Sequence, residues 1–218
     1  MPLLALHASL ETELDAAMVL YEELGTSKSL TCAADFTSHD ECVLEGILSR
    51  IWQSWCRFCR EFFIESCMGS TTVGGTPIPA LPHAFTAEAV SFAAIKAKQS
   101  KQPYWNGANS TLRHEPTWGD VDVLLGIATR LSPANASTLS SMCTMASPSA
   151  KIVQAIRNSA SHFNHQSMAE VARLSSAYVT YPINHPSQAL FWVESSSNNY
   201  LLPEAVSGLK DAAILAVL

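Results

Sequence analysis

Apolar residues recur every three or four positions along most of this chain, which is the spacing of helices that bury one face. The clearest run follows Ser38-His39-Asp40-Glu41, a capping-box sequence that predicts a helix start, and Gly69 predicts its end. Its apolar positions are Leu44, Ile47, Leu48, Ile51, Trp52, Trp55, Phe58, Phe62 and Phe63. Because the aromatic residues continue an aliphatic face, we interpret them as core rather than as a platform for stacking bases.

Start and stop signals predict further helices on both sides of this one. Gly25 ends the first helix, and Pro133 ends a later one that Thr117 caps. Ser147 followed by Pro148 has the form of an N-cap with proline at the first helical position, so a helix is expected to begin there. The predicted ranges are 3–24, 85–101, 117–131, 148–163, 167–182 and 203–218.

The chain is expected to bend near His165, between two of these helices. After the bend, Ser167-Met168-Ala169-Glu170 is a second capping-box sequence and predicts the start of the next helix. The predicted apolar stripe before the bend consists of Ile152, Val153, Ile156, Ala160 and Phe163.

These patterns predict an all-α fold, a helical bundle with extra terminal helices. The Gly-, Pro- and Thr-rich residues 69–84 predict a loop rather than a domain linker, because the helices on either side each need a partner face. The short apolar run 189–193 fits either a buried strand or part of a helix, so the prediction includes a minor strand pair near 189–202.

A single domain over residues 1–218 is expected, with its core at about 38–181. Residues 1–37 and 183–218 are expected to pack on this core as extensions. With 48% hydrophobic and 15% charged residues, the chain can bury a substantial core, which excludes wholesale disorder. The N-terminus lacks a basic segment, and no apolar run approaches transmembrane length. We therefore expect a cytoplasmic protein that has no membrane partner.

The formal net charge of −6 argues weakly against nucleic acid as a partner. Its distribution softens that objection, because the first fifty residues carry nine acidic residues against only Lys28 and Arg50. The remainder of the chain is close to neutral, with ten acidic and eleven basic residues.

A basic and aromatic stretch covers residues 96–118 and permits two interpretations. It could be a lysine-rich helix C-terminus, favoured by the helix dipole, that runs into a loop. It could also be a surface for RNA, with cations for phosphates and rings for bases. The residues concerned are Lys96, Lys98, Lys101, Tyr104, Trp105, Arg113, His114 and Trp118. Lys98, Lys101 and Arg113 are the candidates for RNA contact in this stretch.

The six cysteines include one Cys-x-x-Cys pair, Cys56 and Cys59. No second pair and no histidine pair stands at zinc-site spacing, and the pair lies within a strongly periodic helix. We interpret these cysteines as buried, reduced thiols rather than as a metal or redox site, and we expect no metal and no cofactor.

The strongest candidate chemistry lies at Arg157, Asn158 and His162. Asn158 and His162 are four residues apart and therefore share a helix face, so the amide can hold one imidazole nitrogen. Arg157 starts on a neighbouring stripe, but its long side chain can reach the same surface. An arginine that neutralises phosphate and a histidine that moves a proton near neutral pH suit the cleavage of RNA.

The arrangement Arg157-Asn158, three residues and His162 resembles the Arg-x4–6-His motif of HEPN-domain ribonucleases, in which a polar residue typically follows the arginine. Other parts of the chain are similar to the same family. A Trp- and Phe-rich helix comes early, at 51–63, Pro116-Thr117-Trp118-Gly119 precedes a middle helix, and a bend follows the motif. The resemblance covers roughly residues 38–181, and together these features look like the standalone HEPN proteins that are often encoded near bacterial toxin, antiphage or stress-response genes.

The resemblance implies an all-helical bundle that forms a homodimer, in which two motifs face each other in a composite active site. One departure concerns Asn164, which stands where some HEPN toxins carry a tyrosine that a partner nucleotidyltransferase modifies. That mode of regulation is therefore not expected here.

We thus expect a metal-independent endoribonuclease that acts by attack of the ribose 2′-hydroxyl. His162 would be the general base, Arg157 would stabilise the charge on the phosphorus oxygens, and Asn158 would orient His162. Further substrate contacts are expected from His165 and Lys151. RNA, a second copy of the chain, and an antitoxin or defence-system protein are the expected partners.

Two other functions stay open at this point. One is a catalytically silent HEPN domain that binds RNA or protein. The other is a helical scaffold subunit of a larger defence complex, whose acidic N-terminal region docks onto a basic partner. A plainer interpretation is that Arg157 and His162 are ordinary surface residues on the last core helix.

Overall fold

The computed structural model describes residues 3–28, 33–102, 105 and 114–218. The predicted all-α fold is confirmed. The α-helices are α1 (Leu3–Thr26), α2 (Ser38–Met68), α3 (Ala87–Lys98), α4 (Val121–Leu131), α5 (Ala136–Ser161), α6 (His165–Ala172) and α7 (Leu201–Val217). Short 3-10 helices are formed by Ala33–Asp35, Arg173–Ala177 and Pro186–Phe191.

Two very short antiparallel strand pairs complete the described structure. β1 (Ser70–Thr71) pairs with β2 (Pro77–Ile78), and β3 (Tyr178–Val179) pairs with β4 (Val193–Glu194). The second pair confirms the expected minor pair, since β4 lies in the predicted range and Val193 also bridges to Tyr200. The apolar run at 189–193 is mainly 3-10 helix, because its first three residues complete Pro186–Phe191.

The chain divides into two compact units. The first unit comprises Met1–Glu11, Trp55–Ser147 and Lys210–Leu218, and the second comprises Thr12–Ser54 and Pro148–Leu209. The sequence-based prediction of one domain stays a prediction. Among the described residues, no helix is long and apolar enough to cross a membrane.

Aromatic side chains form the centre of each unit. In the first unit, Trp55 stacks on Phe58 at 5.7 Å between ring centroids, and its indole N–H donates to the carbonyl of Gly119 at 3.1 Å. In the second, Tyr21 stacks on Phe191 at 4.4 Å and its hydroxyl donates to the carbonyl of Leu190. The apolar stripe of α2 is buried along its whole length, which confirms its interpretation as core.

The capping box of α2 begins at Thr37, one residue before the predicted Ser38. The Asp40 amide N–H donates to Thr37 Oγ1 at 3.3 Å, and the Thr37 amide N–H donates to Asp40 Oδ2 at 2.7 Å. The ammonium of Lys28 donates to the same carboxylate at 2.6 Å. Burial raises the pKa of Asp40, but the hydrogen bonds from Lys28 and Thr37 outweigh it and lower that pKa to about 2. This added partner selects Thr37–Asp40 over the predicted Ser38–Glu41.

Thr37→Ala is expected to lower the free energy of unfolding by about 1 kcal/mol, because the Asp40 amide loses its acceptor. Ser38→Ala is the matched control, since Ser38 is exposed and its side chain makes no hydrogen bond among the described residues. Its substitution should change the free energy of unfolding by less than about 0.5 kcal/mol. Urea unfolding of both variants measures the difference. A larger loss for Ser38→Ala than for Thr37→Ala would place the cap at Ser38 instead.

Helix α5 starts twelve residues earlier than predicted, at Ala136, and Pro148 lies inside it. Ser147-Pro148 is therefore not a helix start, although the dipeptide has that form. Along the segment before Pro148, the buried side chains at helical spacing are Leu139, Met142, Cys143 and Ala146. These residues are small or sulfur-containing for the most part, so their periodicity is weak in the sequence.

Other helix boundaries differ by a few residues. Asp120 caps α4, where Thr117 was predicted, because the Asp120 carboxylate accepts the amide N–H groups of Asp122 and Val123. Gly69 ends α2 as predicted. Its φ of +92° favours glycine, and a Cβ there would lie 3.1 Å from the amide nitrogen of Ala80.

Candidate functional site

The three motif residues lie at the C-terminal end of α5, within the second unit. His162 follows the last residue of the helix, and its amide N–H donates to the carbonyl of Asn158 at 2.9 Å, so it continues the helical bonding pattern. Asn158 and His162 are exposed, whereas Arg157 is half-buried. The structure therefore brings the three residues together, as their spacing predicted.

Asn158 and His162 line an open cavity of about 270 Å³. Every residue of its lining is polar, and the other members are Ser159, Asn164, Gln166, Ser167 and Glu170. Apart from His162, Glu170 is the one ionisable side chain in the described lining. An imidazole and a carboxylate in one solvent-accessible polar cavity can exchange protons with a bound substrate.

The turn between α5 and α6 fixes the backbone of His162. The Asn164 side chain accepts the amide N–H groups of Gln166 and Ser167. The Ser167 hydroxyl accepts the Asn164 amide N–H in return, which completes a capping box. The His162 carbonyl accepts the Asn164 side-chain amide at 2.7 Å and the Ser167 hydroxyl at 3.1 Å. Since these bonds hold the turn, the imidazole is attached to an ordered backbone.

The predicted capping box at Ser167–Glu170 is therefore wrong by three residues. Asn164 is the N-cap, and Ser167 occupies the third helical position instead of starting the helix. The helix is also shorter than predicted, because α6 ends at Ala172 and the 3-10 helix Arg173–Ala177 follows. A buried hydrogen bond from the Ser159 hydroxyl to the Ser167 carbonyl, at 3.1 Å, ties α6 back to α5.

The hydrogen-bond partner of the Asn158 side chain is not the predicted His162 ring. Its Oδ1 accepts Nη1 of Arg157 at 3.1 Å, and the structure shows no hydrogen bond between the amide and the His162 ring. A fixed guanidinium loses less conformational freedom when it binds a phosphate. In this structure Asn158 therefore contacts the arginine rather than the histidine.

The guanidinium of Arg157 also carries an unused donor. Its Nε is buried, and among the described residues no acceptor lies within hydrogen-bond distance of it. A buried N–H without an acceptor costs about 1–3 kcal/mol.

The remaining predicted site residues do not line this cavity. His165 lies on α6 and lines a second cavity of the same unit. Lys151 is exposed on α5, six residues before Arg157. Lys98, the last residue of α3, and Lys101 belong to the first unit, and Lys101 follows the end of that helix.

Two further predictions in this region have different outcomes. Arg113 lies outside the described residues, so its predicted RNA contact stays a prediction. Phe163 is 56% exposed, so its predicted place on the apolar stripe of α5 is wrong. Its ring packs against that of His185 at an angle of 35°, with 5.5 Å between the centroids, because the helix has ended and the chain has turned outward.

Sequence reasoning missed Gln166, Ser167 and Glu170 as members of the cavity. The helical spacing that relates these residues could be found in the sequence only if the start of α6 was placed correctly. With the helix starting at His165, these three residues fall at positions that share one helix face. Starting the helix at Ser167 left them without a common role.

Of the cysteines that the structure describes, Cys42 is exposed and Cys56 is half-buried, so their predicted burial is wrong, whereas the other three are buried as predicted. Cys59, Cys67 and Cys143 are buried, and burial raises the pKa of both the Cys67 and Cys143 thiols to about 12. These thiols are protonated and unreactive at neutral pH. Among the described residues, no group of three or more His, Cys, Asp or Glu side chains could hold a metal ion.

Comparisons of the chain with protein-family models, with curated proteins and with solved structures find no match. The resemblance to HEPN-domain ribonucleases therefore stays a prediction.

Proposed function

We propose that this protein is a metal-independent endoribonuclease of the toxin, antiphage or stress-response type, and that the end of α5 carries its active site. The observation that supports this most directly is the polar cavity in which exposed His162 stands beside Asn158, the residue that holds Arg157. A proton-transfer group and an oriented cation are the two elements that RNA cleavage requires, because RNA supplies its own nucleophile.

In the proposed reaction, His162 takes the proton of a ribose 2′-hydroxyl. The 2′-oxygen forms a bond to phosphorus while the bond from phosphorus to the 5′-oxygen breaks, and the leaving 5′-oxygen takes up a proton. Arg157 stabilises the charge that builds on the non-bridging oxygens, and Asn158 keeps its guanidinium in place. The products are a 2′,3′-cyclic phosphate and a 5′-hydroxyl.

The leaving oxygen needs a second proton-transfer group. We propose that the protein acts as a homodimer in which the facing copy of the motif supplies it, as the family resemblance implies. Glu170 provides an alternative within one protomer, since it lines the same cavity as His162: its carboxylate would take the 2′-hydroxyl proton while a protonated His162 gives one to the leaving oxygen. Glu170→Gln distinguishes the two. A rate within about threefold of wild type supports the facing copy, and a loss of 10²-fold or more assigns the role to Glu170.

The function is tested by incubating total RNA and purified tRNA with the protein in excess EDTA. The proposal requires cleavage that resists the chelator and leaves 2′,3′-cyclic phosphate ends. Arg157→Ala and His162→Ala, purified in the same way, control for contaminating nuclease. Equal cleavage by all three proteins would reject the site, and no cleavage by folded, dimeric wild-type protein would favour a role in binding RNA or in a larger assembly.

A further inference from the structure

A second cavity of about 510 Å³ lies in the same unit as the motif. α6 forms one wall through residues that include His165 and Met168, and the segment from Thr180 to Ile183 together with Trp192 forms the others. This volume is within the range of small-molecule sites, about 300–1,000 Å³. The cavity is therefore large enough for a flat heteroaromatic ring.

The chemistry of the lining favours a neutral, flat ligand. Met168, Tyr181, Ile183 and Trp192 supply apolar and aromatic surface, and no Lys, Arg, Asp or Glu belongs to the described lining. His165, Ser175 and Thr180 add groups that can donate or accept hydrogen bonds. Apolar faces with a few polar groups suit a nucleobase, which has flat faces and a polar edge, and they do not suit a phosphate.

The aromatic wall is held in place before any ligand arrives. The indole N–H of Trp192 donates to the Tyr181 carbonyl at 3.1 Å, and the Tyr181 hydroxyl donates to the Gln188 carbonyl at 2.8 Å. Gln188 and Trp192 are both buried. Because these side chains are already ordered, little conformational entropy is lost when a ring packs against them.

The two cavities lie on different faces of α6. Residues at 165, 168, 169 and 172 line the larger cavity, and those at 166, 167 and 170 line the polar cavity with His162. A helix with its side chains is about 10–12 Å across, so a short stretch of extended RNA can reach from one face to the other. A base near the cleaved bond could thus enter the larger cavity while its backbone passes His162.

We propose that this larger cavity binds a base of single-stranded RNA one or two nucleotides from the cleaved phosphate, and so sets the sequence preference. The identity of the ligand rests on the proposed function, but the cavity and its lining do not. The test therefore measures binding separately from cleavage.

Ser175 and Ser176 provide a matched pair of substitutions. Both are exposed on the same 3-10 helix, but only Ser175 lines the cavity. Ser175→Phe should fill the cavity, whereas Ser176→Phe adds the same ring outside it. The probes are 2′-O-methyl hexamers of A, C and U, which cannot be cleaved because they lack the 2′-hydroxyl nucleophile. Fluorescence anisotropy gives their Kd values, and thermal melting checks that both variants are folded.

We expect Ser175→Phe to weaken the binding of the preferred hexamer roughly tenfold, the size typical of losing one base–aromatic contact, and Ser176→Phe to leave it unchanged. Equal affinity in the two variants, or no binding of any hexamer by wild-type protein, would overturn the proposal. His39→Ala, at an exposed histidine that lines neither described cavity, should bind these hexamers as wild type does.

The combined results separate the two proposals. RNA cleavage by Ser175→Phe at the same sites and rates as Ser176→Phe would refute the base site and leave the nuclease intact. Hexamer binding that depends on Ser175, without any cleavage of RNA by wild-type protein, would refute the nuclease and leave the base site intact.

Discussion

His162→Ala is expected to lower kcat for RNA cleavage by roughly 10²–10⁴-fold, which is the usual contribution of a positioned general acid–base group. The side chain is exposed, and its backbone is held by the Asn164 and Ser167 caps. Truncation at Cβ should therefore leave the fold intact. His39→Ala is the matched control, because His39 is also exposed in the second unit but lines neither described cavity.

Arg157→Ala should cost roughly 10²–10³-fold in kcat, the typical effect of losing one donor to the transition-state oxyanion. Arg157→Lys keeps the positive charge but loses the planar fork that Asn158 Oδ1 contacts, so its activity should lie between those of wild type and alanine. Asn158→Ala frees the guanidinium without removing it and should lower the rate roughly tenfold. Rates from single-turnover cleavage of a labelled RNA rank the variants.

This ranking has a specific alternative. If Asn158 acted on His162, as its helical spacing first indicated, Asn158→Ala would lower the rate equally in the wild-type and Arg157→Ala backgrounds. If Asn158 acts through Arg157, the double variant should be no slower than Arg157→Ala alone. Equal rates for His162→Ala and wild-type protein would remove the catalytic assignment altogether.

The sequence predicted the helical fold because long helices with a large apolar face leave a strong periodic signal, as along α2. It predicted helix starts less well, since Ser, Thr, Asn and Asp residues lie close together and offer several caps. Thr37 rather than Ser38 caps α2. The Asp40 carboxylate that accepts the Thr37 amide N–H also accepts the ammonium of Lys28, nine residues before Thr37. At Pro148, a proline that has the form of a helix start lies in the middle of α5.

The sequence could place Arg157, Asn158 and His162 together because they are neighbours on one helix. It could not show that Asn158 bonds to the guanidinium instead of the imidazole, since that choice depends on rotamers. The sequence also could not predict the larger cavity, for another reason. Its walls join α6 to Trp192, about twenty residues later, through 3-10 helices and a two-residue strand that are too short to leave a periodic signal.

The largest stability effect is expected in the first unit, at Glu115. This carboxylate accepts two hydrogen bonds from the Arg60 guanidinium at 2.8 Å, one from the Trp118 indole at 2.9 Å and one from the Ser91 hydroxyl. Its side chain is only 9% exposed. Glu115→Ala would leave all these donors without their acceptor, so we expect a loss of about 3 kcal/mol in the free energy of unfolding.

Glu61→Ala is the matched control, because Glu61 pairs with the same arginine but is 33% exposed. Its removal should cost less than about 1 kcal/mol. Urea unfolding near neutral pH compares the two variants with wild type. Similar losses for both would mean that the number of partners of Arg60, rather than the buried Glu115 network, determines the effect.

The same network predicts how stability depends on pH. Burial raises the pKa of Glu115, but the hydrogen bonds from Arg60, Ser91 and Trp118 outweigh it, so the folded-state pKa lies below the ordinary value of 4.5. The stabilisation by Glu115 is therefore complete above that ordinary value and is lost as the pH falls through the lower, folded-state pKa. Wild-type protein should lose stability in this acidic range more steeply than Glu115→Ala, as urea midpoints measured at a series of pH values would show. Parallel curves for the two proteins would contradict the role of Glu115, because the variant lacks the carboxylate that accepts from Arg60, Ser91 and Trp118.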